Sequence, residues 1–147
     1  MSKPNLIAIE HDEHHAKHIG KLSNGSQFFL TTPFVPAIGT SAGREFVALF
    51  LFGEDGQFLE ARIDDLGTRA ELDEKRASSI YEGRLAELGE FELGRIEVQP
   101  FEIERFETKF GLVPRPPEDE DDVWAVEMQP GNYMAFFEPW DSGDYDT

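Results

Sequence analysis

The chain has 147 residues, 13 basic and 30 acidic, for a formal net charge of −17 with histidine neutral. That length suits one domain, 1–147, rather than two ordinary ones, and 39% hydrophobic content with 13 Phe excludes a wholly disordered polyelectrolyte. The absence of cysteine excludes disulfides, thiolate catalysis and iron–sulfur ligation, and it fits a reducing, cytoplasmic setting.

Residues 1–10 read as a short lead, with Leu6, Ile7 and Ile9 able to form a brief edge strand. Charged residues arrive before any apolar signal segment develops. The stretch His11–Asp12–Glu13–His14–His15–Ala16–Lys17–His18 follows, holding all four histidines. Ile19 to Leu22 and Gln27 to Thr32 then flank Ser23–Asn24–Gly25–Ser26. Asn-Gly takes up positive φ cheaply, which makes this a strong hairpin signal. Pro33 and Pro36 stop the second strand from continuing regularly.

Gly39–Thr40–Ser41–Ala42–Gly43–Arg44 is a small-residue connector whose main-chain N–H groups, with Arg44, offer an alternative anion-binding reading. A second hairpin is expected from Glu45–Phe52 and Phe58–Ile63 around Gly53–Glu54–Asp55–Gly56. Its first strand is apolar on both faces and belongs at the centre of a sheet. The run Phe46–Phe52 is far too short for a bilayer span of about 20 residues. In the return strand Leu59, Ala61 and Ile63 alternate with Glu60 and Arg62, the pattern of one wet face.

A helix is predicted over about 69–89. Thr68 is positioned as its N-cap, with Glu71 three residues on as in a capping box, and Gly89 as its stop. At 100° per residue Ala77, Ile80, Tyr81, Arg84, Leu85 and Leu88 share one arc, a sheet-facing stripe. Further on, Ile96 and Val98 have the opposite strand parity to Phe101 and Ile103, so Pro100 marks a bend or bulge. The proline-rich Leu112–Pro117 leads into Glu118–Asp119–Glu120–Asp121–Asp122, and 114–122 reads as a mobile, solvated acidic loop. Val123–Met128 and Tyr133–Phe137 are the last strand candidates, joined by Gln129–Pro130–Gly131–Asn132. An acidic tail, 138–147, closes the chain, pinned by Trp140.

The expected architecture is α+β: a mainly antiparallel sheet of about five to seven strands with the 69–89 helix on one face. An uncovered edge strand is compatible with a homodimer.

Charge is unevenly distributed. Residues 1–50 are neutral, 51–100 carry −7 and 101–147 carry −10. Such a field repels nucleic-acid phosphates and anionic lipid and attracts a basic protein. Nucleic acid and membrane are therefore not expected partners. Glu118, Asp119, Glu120, Asp121 and Asp122, with Trp140 and Tyr145 as contact area, are the candidate interaction residues for a basic partner.

His11, His14, His15 and His18 are the candidate metal ligands. On a helix, His11, His15 and His18 share a side and can hold a divalent transition metal; on a strand, the four split between faces. The run His-Asp-Glu-His is not H-E-x-x-H, and no histidine follows His18, so metalloprotease chemistry is unsupported. A second charged group, Glu60, Arg62, Asp64 and Asp65, combines carboxylates suited to acid–base or cation chemistry with the pattern of a plain exposed strand. Neither a P-loop nor a G-x-S-x-G elbow is present. A small-ligand pocket near Phe34 and Arg44 is a third reading. The leading expectation is a noncatalytic interaction or inhibitor-type module with no required cofactor; a metal-binding module or small metal-dependent enzyme is the alternative.

Overall fold

Residues 3–40 and 42–147 are described in a computed structural model; Met1, Ser2 and Ser41 lie outside the described residues, so the lead and the 39–44 connector are each described in part. In chain order the elements are β1 (Ile7–Ile9), β2 (His18–Leu22), β3 (Gln27–Thr31), β4 (Phe34–Val35), β5 (Arg44–Phe52) and β6 (Phe58–Gly67). A short 3-10 turn (Arg69–Glu71) leads to α1 (Glu74–Ala86), and then β7 (Phe91–Leu93), β8 (Ile96–Val98), β9 (Phe101–Arg105), β10 (Thr108–Arg115), β11 (Ala125–Gln129) and β12 (Ala135–Phe136).

The apolar run in β5 organises the molecule. Because strand side chains alternate, Phe46, Ala48, Phe50 and Phe52 enter one core, while Val47, Leu49 and Leu51 enter another on the opposite face. β5 accordingly lies inside a six-stranded antiparallel sheet. β6 pairs along one of its flanks, β3 and β4 follow one another along the other, and β2 and β7 extend the sheet beyond β3. The break at Pro33 separates β3 from β4, and its carbonyl accepts from Phe46 N–H at 3.0 Å.

The fold is α+β, with one main helix packed against this antiparallel sheet. Leu72, Ala77, Ile80, Tyr81, Leu85 and Leu88 rest against Phe28, Leu30, Val47, Leu49 and Leu51. The stripe read from the sequence is thus the one that packs. The helix begins later than the capping-box pattern suggests. Thr68 and Glu71 do hydrogen-bond, at 2.8 Å, but they close the 3-10 turn. Leu72 then turns extended, and Asp73 caps α1 by accepting from Lys75 N–H and Arg76 N–H.

The other face of the sheet packs on a second, four-stranded antiparallel sheet, β12-β11-β10-β9, and on the β1–β8 pair. Phe110, Leu112, Val126, Met128 and Phe136 fill the space opposite Phe29, Phe46 and Phe50. The parity conflict around Pro100 is resolved by assigning the two pairs to different sheets. Ile96 and Val98 sit in β8 against β1, whereas Phe101 and Ile103 sit in β9 against β10.

Two hairpins solve their reversals alike. Gly25 and Gly56 take φ of 89° and 90°, with Leu22 N–H on Ser26 O and Gly53 N–H on Gln57 O, both at 2.8 Å. A type I turn closed by a left-handed residue has this form, and glycine adopts it without a Cβ penalty. The β9–β10 hairpin is different. Its two-residue loop places Phe106 and Glu107 at φ of 52° and 59°, where side chains are strained.

The charges of β6 are paired within the fold, by the end of the helix, by β5 and along the strand itself. Arg84 is bidentate to Asp64 at 2.8 and 3.1 Å and also meets Glu87; Arg62 bridges Glu60 and Glu87. Asp65 takes Arg44 at 2.6 Å. Arg62, Asp64 and Asp65 therefore tie β6 to its neighbours, and Glu60 pairs with Arg62 along the strand itself, instead of the four surrounding a shared pocket.

Candidate interaction site

The histidine stretch is neither helix nor strand before His18. Asp12 closes it as a turn: Oδ1 accepts from His14 N–H at 2.8 Å and Ala16 N–H at 3.1 Å, while Asp12 N–H donates to Ala16 O. The four imidazoles do not converge on one point in consequence. His14 and His15 lie with centroids 3.9 Å apart, and His15 meets the ring of Tyr133 edge-on at 4.9 Å. His18 leaves along β2 to share a 2.5 Å hydrogen bond with the Tyr81 hydroxyl of α1. The Nε2 atom of His11 is enclosed and has no hydrogen-bond partner among the described residues. Among the described residues, no group of three or more His, Asp or Glu is placed to hold a metal ion.

The 138–147 segment returns along β1. Ala8 N–H donates to Trp140 O at 2.9 Å and Glu10 N–H to Gly143 O at 3.0 Å, while Ala135 and Asp146 exchange both main-chain bonds. Trp140 and Tyr145 are half-buried against the core between the sheets. The Tyr145 hydroxyl donates to Asp12 Oδ2 at 2.5 Å and accepts from His15 N–H at 3.1 Å. The histidine turn and the final segment, read separately in the sequence, thus form one joint. A cavity of about 450 Å³ opens there, lined by Glu10, His11, Asp12, His14, Asp144 and Tyr145 among others.

This joint shifts its titrations. Burial holds His15 below the ordinary imidazole value, helped by the charge of His14 and opposed by Asp12. Burial alone raises Asp12, but the Tyr145 hydroxyl, the N–H groups of His14 and Ala16 and the His14 charge outweigh it and leave the carboxyl lowered. Tyr145 is pushed up to about 12, by burial first and then by its bond to Asp12.

The acidic loop has its own construction. Arg115, at the end of β10, donates to Asp122 Oδ2 at 2.7 Å and to Glu127 Oε2 at 3.1 Å. The Asp122 carboxylate also accepts from Glu118 N–H at 3.1 Å and Val123 N–H at 2.8 Å. Those two main-chain bonds, then Arg115, lower its pKa. Asp119 accepts from Asp121 N–H at 2.9 Å. Residues 114 and 115 belong to β10, and 118–122 is tied across its base by Asp122.

Glu118, Asp119, Glu120 and Asp121 are exposed, and none forms an ion pair among the described residues. Arg115, Glu118, Asp119, Asp121 and Asp122 border a shallow hollow of about 460 Å³. The five acids that look equivalent in sequence are therefore one anchor and four outward charges. Arg115 is the residue that sequence reasoning missed. Its signal was available, since it is the sole basic residue after Lys109.

A third hollow, of about 570 Å³, lies beside Val35, Arg44, Asp65, Thr68, Phe106 and Glu107. Arg44 lines it with its charge already engaged by Asp65, and Phe34 instead stacks on Tyr133 at 5.7 Å. No protein-family model, curated protein or solved structure matches the chain.

Proposed function

We propose that the protein is a noncatalytic interaction module that receives a basic protein surface on its acidic side. The observation that carries this reading is the anchoring of 118–122 by the Arg115–Asp122 pair, which leaves Glu118, Asp119, Glu120 and Asp121 outward and uncompensated. Unlike charges on a floppy tail, carboxylates on a tied loop need little further ordering when a cation arrives, and this reduces the entropic cost of association. Each exposed pair contributes little, about 1 kcal/mol at 4 Å in water. Four held together act mainly on encounter rate and partner choice. The neutral first 50 residues and the −10 of the last 47 give that field a direction along the chain. Trp140 and Tyr145 are half-buried in the joint, so each keeps only part of its ring surface for contact.

The test is a variant carrying Glu118→Gln, Asp119→Asn, Glu120→Gln and Asp121→Asn, with Asp122 retained. Association with a lysine-rich peptide at low ionic strength is expected to slow severalfold and to lose part of its salt dependence. Unchanged association kinetics count against the reading.

A further inference from the structure

Most strand edges in the molecule are already occupied or spoiled. The outer side of β12 meets Asp146, and β1 is lined by Trp140 and Gly143. The main chain of β8 is taken at Glu97 by the Gln27 amide. β6 carries a register shift near each end, and between them its charged side chains are already paired, Arg62 with Glu87, Asp64 with Arg84 and Asp65 with Arg44. β9 differs. It ends the four-stranded sheet, runs regularly for five residues and, among the described residues, pairs only with β10.

Its register decides which groups are open. Arg105 and Thr108 close a two-residue hairpin and form a hydrogen-bonded pair, as do Ile103–Phe110 and Phe101–Leu112 by alternation. The main-chain N–H and C=O groups of Glu102 and Glu104 therefore point away from β10, to the free edge. The Glu102 and Glu104 side chains are exposed, while Phe101 and Ile103 are half-buried on the side of the inter-sheet core.

We propose that β9 accepts an extended segment of a basic partner, with Lys or Arg alternating with apolar residues, as an added antiparallel strand. This inference rests on the proposed role as acceptor of a basic surface. Cations opposite Glu102 and Glu104 make favourable cross-strand pairs, and the alternating apolar residues extend the core over Phe101 and Ile103. A second copy of β9 is disfavoured, because antiparallel self-pairing sets glutamates against glutamates. The edge already draws cations from within the chain. Arg105 donates to Glu104 O at 3.0 Å, and Lys109 approaches Glu102 at 3.8 Å with both side chains more than half exposed. An incoming strand displaces both.

The experiment uses a seven-residue, end-capped peptide alternating Lys and Val, followed by backbone amide NMR of the full chain at low ionic strength. In the antiparallel arrangement the N–H groups of the lysines face β9. N-methylation at the lysines is expected to weaken binding about tenfold and abolish the shifts at Glu102 and Glu104, whereas N-methylation at the valines preserves both. Equal binding of both methylated peptides, or equal loss in both, overturns strand addition while the charge-based reading stands. If no basic peptide binds, the proposed function falls together with it.

Discussion

The side-chain amide of Gln27 grips the main chain of Glu97 at both ends: Nε2 donates to Glu97 O at 2.9 Å, and Oε1 accepts from Glu97 N–H at 2.8 Å. Nε2 also donates to Gly53 O at 3.0 Å. One buried glutamine, 3% exposed, thereby stands in for a neighbouring strand along β8 and joins it to the second hairpin. Replacing it with leucine leaves the Glu97 N–H and carbonyl without their partner in a part-buried site, whereas Gly53 O keeps the Gly56 N–H. Gln27→Leu is expected to cost about 3 kcal/mol, read as a lowered denaturation midpoint in urea.

Tyr145→Phe removes a donor from Asp12 and an acceptor from His15 N–H. The expected cost is about 1–2 kcal/mol. It should be local, with amide exchange accelerating at Ala8 and Glu10, whose N–H groups bond the returning segment. Exchange in β5 should follow only the global stability.

The histidine turn makes stability sensitive to mild acid. His15 and His18 both titrate below the ordinary 6.5 in the folded state. Burial is the first cause for each, supported by the charge of His14 at His15 and by those of Lys17 and His11 at His18, against Glu82 and Glu13. Below 6.5 the unfolded chain therefore takes up protons first. The contribution of the neutral imidazoles is complete above 6.5 and declines as pH falls from there through the folded-state values. His15→Asn should flatten the stability–pH curve in that window. Asp12, also lowered in the folded state, acts in a separate range: its contribution holds above 3.8 and is lost as pH falls through its folded value.

Phe106 and Glu107 occupy a turn that asparagine and glycine form without strain. Glu107→Gly is expected to stabilise the protein by about 1 kcal/mol, raising the thermal midpoint by several degrees. Phe106 is a less simple target, because its ring stacks on Phe46 at 6.2 Å even though the residue is 50% exposed.

Local signals in the sequence revealed the parts whose partners lie nearby. Both faces of β5, the Asn24–Gly25 and Gly56 reversals and the arc of Ile80, Tyr81 and Leu85 depend on period and turn chemistry alone. β10 was hidden, since Gly111 and Pro114 interrupt its pattern and Pro114 still lies opposite Val126. The division into three sheets was not legible either, because β1 with β8 and β1 with 140–143 are long-range pairings. Neither helix nor strand spacing applies to the histidines, because a single Asp12 side chain imposes a turn. At 118–122 the charge count was plain, but the distinction between Asp122 and its four neighbours depends on Arg115 reaching across the loop.

The reading of that loop is tested most directly by Arg115→Gln, followed by association of the lysine-rich peptide at low ionic strength. The substitution makes the protein more negative and takes the guanidinium from Asp122 and Glu127, leaving Asp122 its main-chain donors alone. If the held geometry of the carboxylates matters, binding weakens despite the added negative charge. Binding that is equal or tighter contradicts it, and leaves net charge alone as the attraction.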